Sequence, residues 1–309
     1  MKRKFIPVML TPFNDKGSVD YDGLTALTEF YIESGAGGLF ANCLSSEMFE
    51  LDDKERMDVT AHVVKIAAGS IPVFSTGTFA KNPFEQAEFI KKLYDCGASA
   101  IVVITGLLAT KDESDDILCD RMQKLMTLTS DIPLGFYECP IPYKRLLPAR
   151  LLNEFASTGR IVYHKDTSLC INEIKSKLAA TQEHAVELYD AYMVNAVASL
   201  QAGCAGLSCI QGNWIPELIV WLCENFSDPA LRQEVRLVQQ FLDNNMELMH
   251  NTYPISAKYF LQKRGLPIQT TTRRDVGNFS DHDQRKVNQL FDDIRLLQDK
   301  IGLAQKLTA

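Results

Sequence analysis

An α/β fold, specifically a (β/α)8 or TIM barrel with a C-terminal helical extension, is predicted for this 309-residue chain by three observations. Short apolar runs alternate eight times with amphipathic stretches over about the first 220 residues, the arithmetic of such a barrel. The runs are nearly continuously apolar, as strands covered by helices on both faces must be. No GxGxxG or GxxxxGK[ST] turn occurs, whereas an open doubly wound sheet commonly carries a Gly-rich phosphate loop.

The first strand is read over Phe5–Leu10, and the helix after it, Tyr21–Glu33, has Asp20 before it and Gly35 as its stop. Gly38–Cys43 leads to Asp52–Ala68, where Met57, Val59, Val63, Val64 and Ile66 share a broad apolar face. Pro72–Thr78 is followed by Phe84–Cys96, opened by Asn82-Pro83 and closed by Gly97; proline at a first helical position sacrifices no hydrogen bond. Ala100–Thr105 is followed by Glu113–Leu128, Pro133–Glu138 by Pro148–Ser157, and Ile161–Asp166 by Ile171–Ala180. Val186–Asp190 with Met193–Ala202 and Gly206–Ile210 with Trp214–Phe226 complete the eight units. Residues 1–226 are assigned to the barrel on this basis and 227–309 to the extension. In the extension Pro229–Asn251, Pro254–Arg264 and Ser280–Ile301 read as helices without a strand between them. The polar Thr270–Asp275 and the turn-like Gly277-Asn278 read as a connection. So small a tail is expected to pack on the barrel or on a neighbouring subunit.

Composition narrows the function classes. With 39 acidic and 32 basic side chains, a net charge of −7 and no basic run, the chain lacks the cationic footprint of a nucleic-acid binder. No apolar stretch reaches the roughly 18 residues of a membrane span, and Phe5–Leu10, broken by Pro7, is too short for a signal-peptide core. Eight scattered cysteines without a CxxC pair predict reduced, mostly buried thiols rather than a disulfide frame or zinc site. The expectation is a cytoplasmic protein with neither a nucleic-acid nor a membrane partner.

In barrels the chemistry lies at the C-terminal ends of the strands. Those ends carry Ser45-Ser46-Glu47, Thr76 and Thr78, Thr105, Tyr137, Lys165-Asp166, Asp190 and Ser208. Lys165 follows an apolar strand, and desolvation lowers a lysine pKa and makes the amine nucleophilic toward a carbonyl. The alternative is a lysine that snorkels to solvent or pairs with Asp166. Tyr137, one strand earlier, can shuttle protons at the barrel mouth; the alternative is a core tyrosine bonded to a backbone carbonyl. Ser45 and Ser46 offer hydroxyls and loop amides to a carboxylate, or else cap the helix after Asp52. His164 faces the opposite side of its strand from Lys165, where a helix would cover it.

Five segments together carry a family resemblance: Pro7 to Phe13, Gly38 to Glu47, Phe136-Tyr137-Glu138-Cys139-Pro140, His164-Lys165-Asp166, and Gly203 to Ser208. The chain resembles the dihydrodipicolinate synthase / N-acetylneuraminate lyase family of class I, Schiff-base-forming aldolases over essentially its whole length. The resemblance implies a carbon–carbon lyase, usually a homotetramer, that works without metal or cofactor. It makes Lys165 the residue that condenses with pyruvate or a related 2-oxo acid and Tyr137 the proton relay. Ser45, Ser46, Leu207 and Asp190 become the substrate-binding residues.

The departures from the family pattern bear on the second substrate. Leu44 stands where the loop Gly-Thr-Thr-Gly-Glu usually offers a hydroxyl. Thr105-Gly106-Leu107-Leu108 replaces Thr-Pro-Tyr-Tyr, which removes the tyrosine that a neighbouring subunit contributes to the relay. The synthase arginine that grips the aldehyde's carboxylate aligns near Pro142, with Lys144 and Arg145 displaced from it. Tyr189-Asp190-Ala191-Tyr192 lacks the usual glycine. Leucines at 44, 107 and 108 predict an apolar far end, suited to a partner less charged than aspartate semialdehyde, and so a chain that is not a working dihydrodipicolinate synthase. Two other functions compete: a sugar-acid dehydratase using the same imine, and a catalytically idle member that binds a keto acid. Leu44 and Leu108 favour the idle binder; the Lys165–Tyr137 pair opposes it.

Overall fold

Eight parallel strands pair in the order β1-β8-β7-β6-β5-β4-β3-β2 in the computed structural model, which describes residues 2–303. Residues 304–309 of the expected extension lie outside the described residues. The strands are β1 (Lys4–Phe5), β2 (Leu39–Asn42), β3 (Val73–Thr76), β4 (Ala100–Ile104), β5 (Leu134–Tyr137), β6 (Ile161–Asp166), β7 (Glu187–Asp190) and β8 (Gly206–Leu207). The circle closes where the chain beyond β1 meets β2. There Val8 bridges Phe40 in parallel, Phe40 N donates to Pro7 O at 3.0 Å and Met9 N to Phe40 O at 3.1 Å. This is a (β/α)8 barrel with a C-terminal helical extension, as the alternation predicts.

The first and last strands are shorter than their apolar runs. Pro7 has no N–H for a ladder, so past Phe5 only the single Val8 bridge remains. Residues Ile210–Asn213 wind into a 3-10 turn instead of prolonging β8. Gly206 is required where these strands meet, because a Cβ there would stand 1.7 Å from Lys4 O.

Helices Tyr21–Glu33, Asp53–Ala67, Pro83–Asp95, Asp115–Leu128, Ala149–Ala156, Ile171–Ala180, Ala196–Ala202 and Pro216–Asn225 cover the strands. Their starts show the expected capping. The Asp52 carboxylate accepts from Glu55 N at 2.8 Å and the Glu55 carboxylate from Asp52 N at 3.1 Å, a reciprocal box whose cap contributes about 1 kcal/mol. The helix expected over Pro229–Asn251 is two, Arg232–Asn244 and Met246–His250. The break falls at Asn245, whose amide donates to Phe241 O, the side-chain competition that makes asparagine a poor interior helix residue. Ile255–Lys263 and Asp281–Lys300 complete the extension. Val238, Leu242, Phe260 and Leu290 of the extension share one buried cluster with Leu24, Leu27, Leu218 and Leu222 of the barrel helices. Among the described residues no helix is long and apolar enough to cross a membrane. All eight cysteines are unpaired.

Alternation along each strand sorts side chains to the barrel interior or to the helices. Inside, Tyr163 stacks on Phe74 at 4.6 Å and on Tyr189 at 5.1 Å, which makes an aromatic floor. Lys165 is the next inward position on β6 beyond Tyr163, and it pairs in register with Tyr137 on β5.

Candidate active site

A cavity of about 400 Å³ opens at the C-terminal ends of the strands and is lined by Lys165, Tyr137 and Ser45, a volume ordinary for a small-molecule site. Larger hollows of about 680 and 540 Å³ lie elsewhere on the surface, and neither contains a residue from the C-terminal end of a strand.

Lys165 is 4% exposed, and its Nζ lies 4.4 Å from the Tyr137 ring centre and 5.9 Å from that of Phe40. Burial pushes its amine below the ordinary lysine value, opposed only weakly by the thiols of Cys43, Cys139 and Cys209. Burial itself pushes Cys139 up to about 11 and Cys209 up to about 12. Both stay protonated near neutral pH and give the amine no counter-charge. Lys165 therefore neither snorkels to solvent nor pairs with Asp166, which belongs to a different cluster described below. Lowering an amine's pKa enlarges its neutral fraction, the form that attacks a carbonyl.

Tyr137 is 3% exposed and lines the same cavity. Burial raises its phenol well above the ordinary tyrosine range, and the neighbouring thiols of Cys139 and Cys43 push the same way. The hydroxyl thus keeps its proton near neutral pH. A protonated phenol is able to accept one proton as it passes on another, which a phenolate base is not.

The two serines separate. Ser45 lines the cavity and shares a side-chain hydrogen bond with Tyr253. Ser46 is fully buried, and its hydroxyl closes the turn, accepting from Cys43 N at 2.6 Å and donating to Cys43 O at 2.8 Å. Neither caps the helix after Asp52, which Asp52 itself caps. Leu207 and Asp190 do not line the cavity. They pair with each other on adjacent strands, and alternation turns both away from the inward Tyr189 and Ser208. Burial raises the Asp190 carboxyl to about 7, and its Oδ1 accepts from Tyr192 N at 2.8 Å. Of the expected site residues, the cavity lining therefore brings together Lys165, Tyr137 and Ser45, and Ser46, Leu207 and Asp190 stand outside it.

Behind Lys165 and Tyr137 sits a second, fully buried cluster. Glu138 and Asp166 follow Tyr137 and Lys165 in sequence and face outward, where Lys177 Nζ donates to Glu138 Oε1 at 2.5 Å and to Asp166 Oδ2 at 2.6 Å. Glu138 also accepts from Leu147 N at 2.8 Å and Thr167 N at 3.1 Å. Burial works to lower the Lys177 amine, but the two carboxylates outweigh it and raise it above the usual value. His164 is wedged beside them, pushed down to about 3 by burial and then by Lys177, and so stays neutral. Glu138, His164 and Asp166 are the one metal-capable trio among the described residues, and the Lys177 ammonium bonds two of its members. Removing that ammonium would strand two buried carboxylates. Lys177→Met is expected to cost about 3–5 kcal/mol of folding stability, read as a lowered urea midpoint. A loss below about 1 kcal/mol would mean that the carboxylates take up protons at little cost.

Sequence reasoning missed the contribution of the extension. Met246, His250, Tyr253 and Arg274 all line the cavity. Tyr253 Oη accepts from Asn213 Nδ2 at 2.5 Å, and Asn213 Oδ1 accepts from Tyr31 at 2.8 Å. Arg274 comes from the stretch read as a polar connection. The three leucines expected to make one end of the pocket apolar are placed differently. Leu44 lines the cavity but Leu107 and Leu108 do not, and Lys144 and Arg274 do. Arg145 is turned elsewhere: its guanidinium binds Thr110 O, Glu113 O and the Asp115 carboxylate.

Comparison with known proteins agrees with this architecture. The model of the dihydrodipicolinate synthetase family matches residues 1–294. The 4-hydroxy-tetrahydrodipicolinate synthase of Methanothrix thermoacetophila is 26% identical over 279 residues, covering 88% of this chain and 87% of that one. The enzyme of the same name from Shewanella sp. (strain MR-7) is 26% identical over 266 residues, 84% of this chain and 87% of its own. Among solved structures, YagE, a prophage protein of the dihydrodipicolinic acid synthase family from E. coli K12 in complex with pyruvate, superposes with a TM-score of 0.84. It is 21% identical, covering 95% of this chain and 99% of YagE. The chloride-inhibited dihydrodipicolinate synthase of Acinetobacter baumannii, also with pyruvate, gives a TM-score of 0.82 at 21% identity, covering 98% and 100%. With the family model matched along nearly its whole length, the chain belongs to the dihydrodipicolinate synthetase family.

Proposed function

We propose that this protein is a class I aldolase-type lyase that makes or breaks a carbon–carbon bond beside the ketone of pyruvate or a related 2-oxo acid. The observation that carries the proposal is Lys165, a buried lysine with its pKa lowered, set 4.4 Å from the ring of Tyr137 at a barrel mouth. The neutral amine adds to the C2 carbonyl, the carbinolamine loses water, and the protonated imine accepts the electron pair of the bond that breaks. Tyr137 passes one amine proton to the carbonyl oxygen, and the resulting hydroxyl leaves as water with one further proton taken from solvent, so the imine nitrogen keeps its own proton. Ser45 and the amides of its loop supply donors for the substrate carboxylate. Two family members bind pyruvate in their solved structures, which supports the choice of ligand. Borohydride added to the protein with pyruvate should fix one reduced adduct on the chain, read by intact mass; an unmodified chain would count against the imine.

The second substrate differs from aspartate semialdehyde in this proposal. Leu108 is buried where a relay phenol would stand, and Arg145 is committed to Asp115 at 3.0 Å. With pyruvate and aspartate semialdehyde, kcat/KM is expected to fall below about 10⁴ M⁻¹s⁻¹, the lower end of the ordinary enzyme range. A value above it would make the protein a working synthase.

A further inference from the structure

We propose that this cavity binds a second acidic group of the substrate, a carboxylate or phosphate, through the Arg274 guanidinium, with Lys144 on the same lining. The inference rests on the Lys165-imine proposal for the near end of the cavity, and it names the substrate class: a 2-oxo acid skeleton with an anionic terminus.

The cavity wall has no acidic side chain, yet Lys144, Lys165 and Arg274 all line it. The substrate's own carboxylate balances the protonated imine at Lys165. Lys144 and Arg274 then remain. Lys144 Nζ donates to Thr167 O at 2.8 Å. The Arg274 guanidinium reaches only Leu44 O at 3.4 Å and Tyr253 O at 3.3 Å, both long contacts. Among the described residues neither cation has a carboxylate within ion-pair distance, although other arginines of the chain do, such as Arg264 on Glu217 at 2.9 Å and Arg273 on Glu55 at 2.6 Å.

Arg274 is also held in place by its backbone. Glu47, fully buried in the loop after β2, accepts from Arg273 N at 2.6 Å and Arg274 N at 2.8 Å through Oε2, and from Lys258 Nζ at 3.1 Å through Oε1. The Glu47 carboxylate is thus spent on backbone and on Lys258, and Glu50 acts on Arg274 through space without an ion pair between them; the Glu47 bonds fix the guanidinium's root to the cavity loop. A planar donor fork rooted in this way matches the geometry of carboxylate and phosphate oxygens, and its ordering cost is met before the ligand arrives.

The test compares 2-oxoadipate with 2-oxohexanoate, equal in chain length and differing by one terminal carboxylate. A second pair, 5-phosphooxy-2-oxopentanoate and 5-hydroxy-2-oxopentanoate, distinguishes phosphate from carboxylate. Binding by calorimetry and adduct formation with borohydride are both read, with pyruvate as the reference. The wild-type protein should prefer the charged member of at least one pair by about tenfold, the scale of one charge-assisted hydrogen bond. Arg274→Gln should reduce that preference to within about twofold while pyruvate still traps, and Arg274→Lys should restore part of it. Equal affinity for both members of both pairs in the wild-type protein overturns the proposal. Loss of pyruvate trapping in a folded Arg274→Gln variant also overturns it, because Arg274 would then hold the 2-oxo acid's own carboxylate. If pyruvate fails to trap on the wild-type protein the imine proposal falls, and the calorimetric preference still decides the fate of the anion site.

Discussion

Lys165→Ala is expected to abolish the borohydride-reducible adduct with pyruvate and to lower turnover on the order of 10⁶-fold, the scale seen when other covalent nucleophiles are removed. No neighbouring group can substitute. The thiols of Cys139 and Cys209 beside the amine are kept protonated by burial, and Tyr137 keeps its proton for the same reason. Lys144 is the one other lysine on the cavity wall, and its Nζ is bonded to Thr167 O. The fold should survive the change. Burial disfavours the charged form of Lys165, so the alanine variant relieves an electrostatic cost while it loses the packing of the lysine stem on Phe40 and Tyr137. These effects oppose each other, and the melting temperature should move by only a few degrees, about what 1 kcal/mol does to a chain of this size. A persistent pyruvate adduct on the alanine variant would move the imine to another lysine, and peptide mapping would identify it.

How much of this was legible in the sequence depends on which kind of interaction places a residue. The barrel was legible because burial on two faces writes itself into each strand as a continuous apolar run, and capping residues such as Asp52 and Asn82 mark helix starts locally. Lys165, Tyr137 and Ser45 were legible because a barrel presents strand ends to one common mouth. Asp190 and Leu207 stand outside the cavity lining for a reason the sequence also contains: on β7 and β8 the inward positions are Tyr189 and Ser208, so their neighbours point away. The omission of Arg274 is of a different kind. Nothing local in Thr270–Asp275 distinguishes a linker from a cavity wall. Arg274 reaches the cavity through bonds between its own backbone and Glu47, 227 residues earlier in the chain, and such long-range placement leaves no periodic trace. The Glu138–Lys177–Asp166 cluster was hidden likewise, since Lys177 lies on a helix whose surface lysines look alike in sequence while this one is wholly buried.

Tyr137→Phe isolates the proton relay from the rest of the site, and turnover is expected to fall about 10²–10⁴-fold with KM changing far less. The substitution removes one oxygen and keeps the ring, so the edge contact with Phe40 at 6.0 Å and the packing beneath Lys165 persist. Imine formation moves a proton from the attacking nitrogen to the carbonyl oxygen, and imine hydrolysis reverses that transfer. Without the phenol each transfer must wait for a water molecule inside an apolar pocket, and borohydride trapping should slow in step with turnover. The acid limb of the pH profile supplies an independent check. It reports deprotonation of Lys165, whose pKa is lowered by burial rather than by Tyr137, so it should stay where it is in the phenylalanine variant. A rate loss confined to KM would assign Tyr137 to substrate binding. An unchanged rate, with chemistry shown to limit turnover, would pass the relay to the other phenol on the cavity wall that carries a hydrogen-bonded chain behind it, Tyr253.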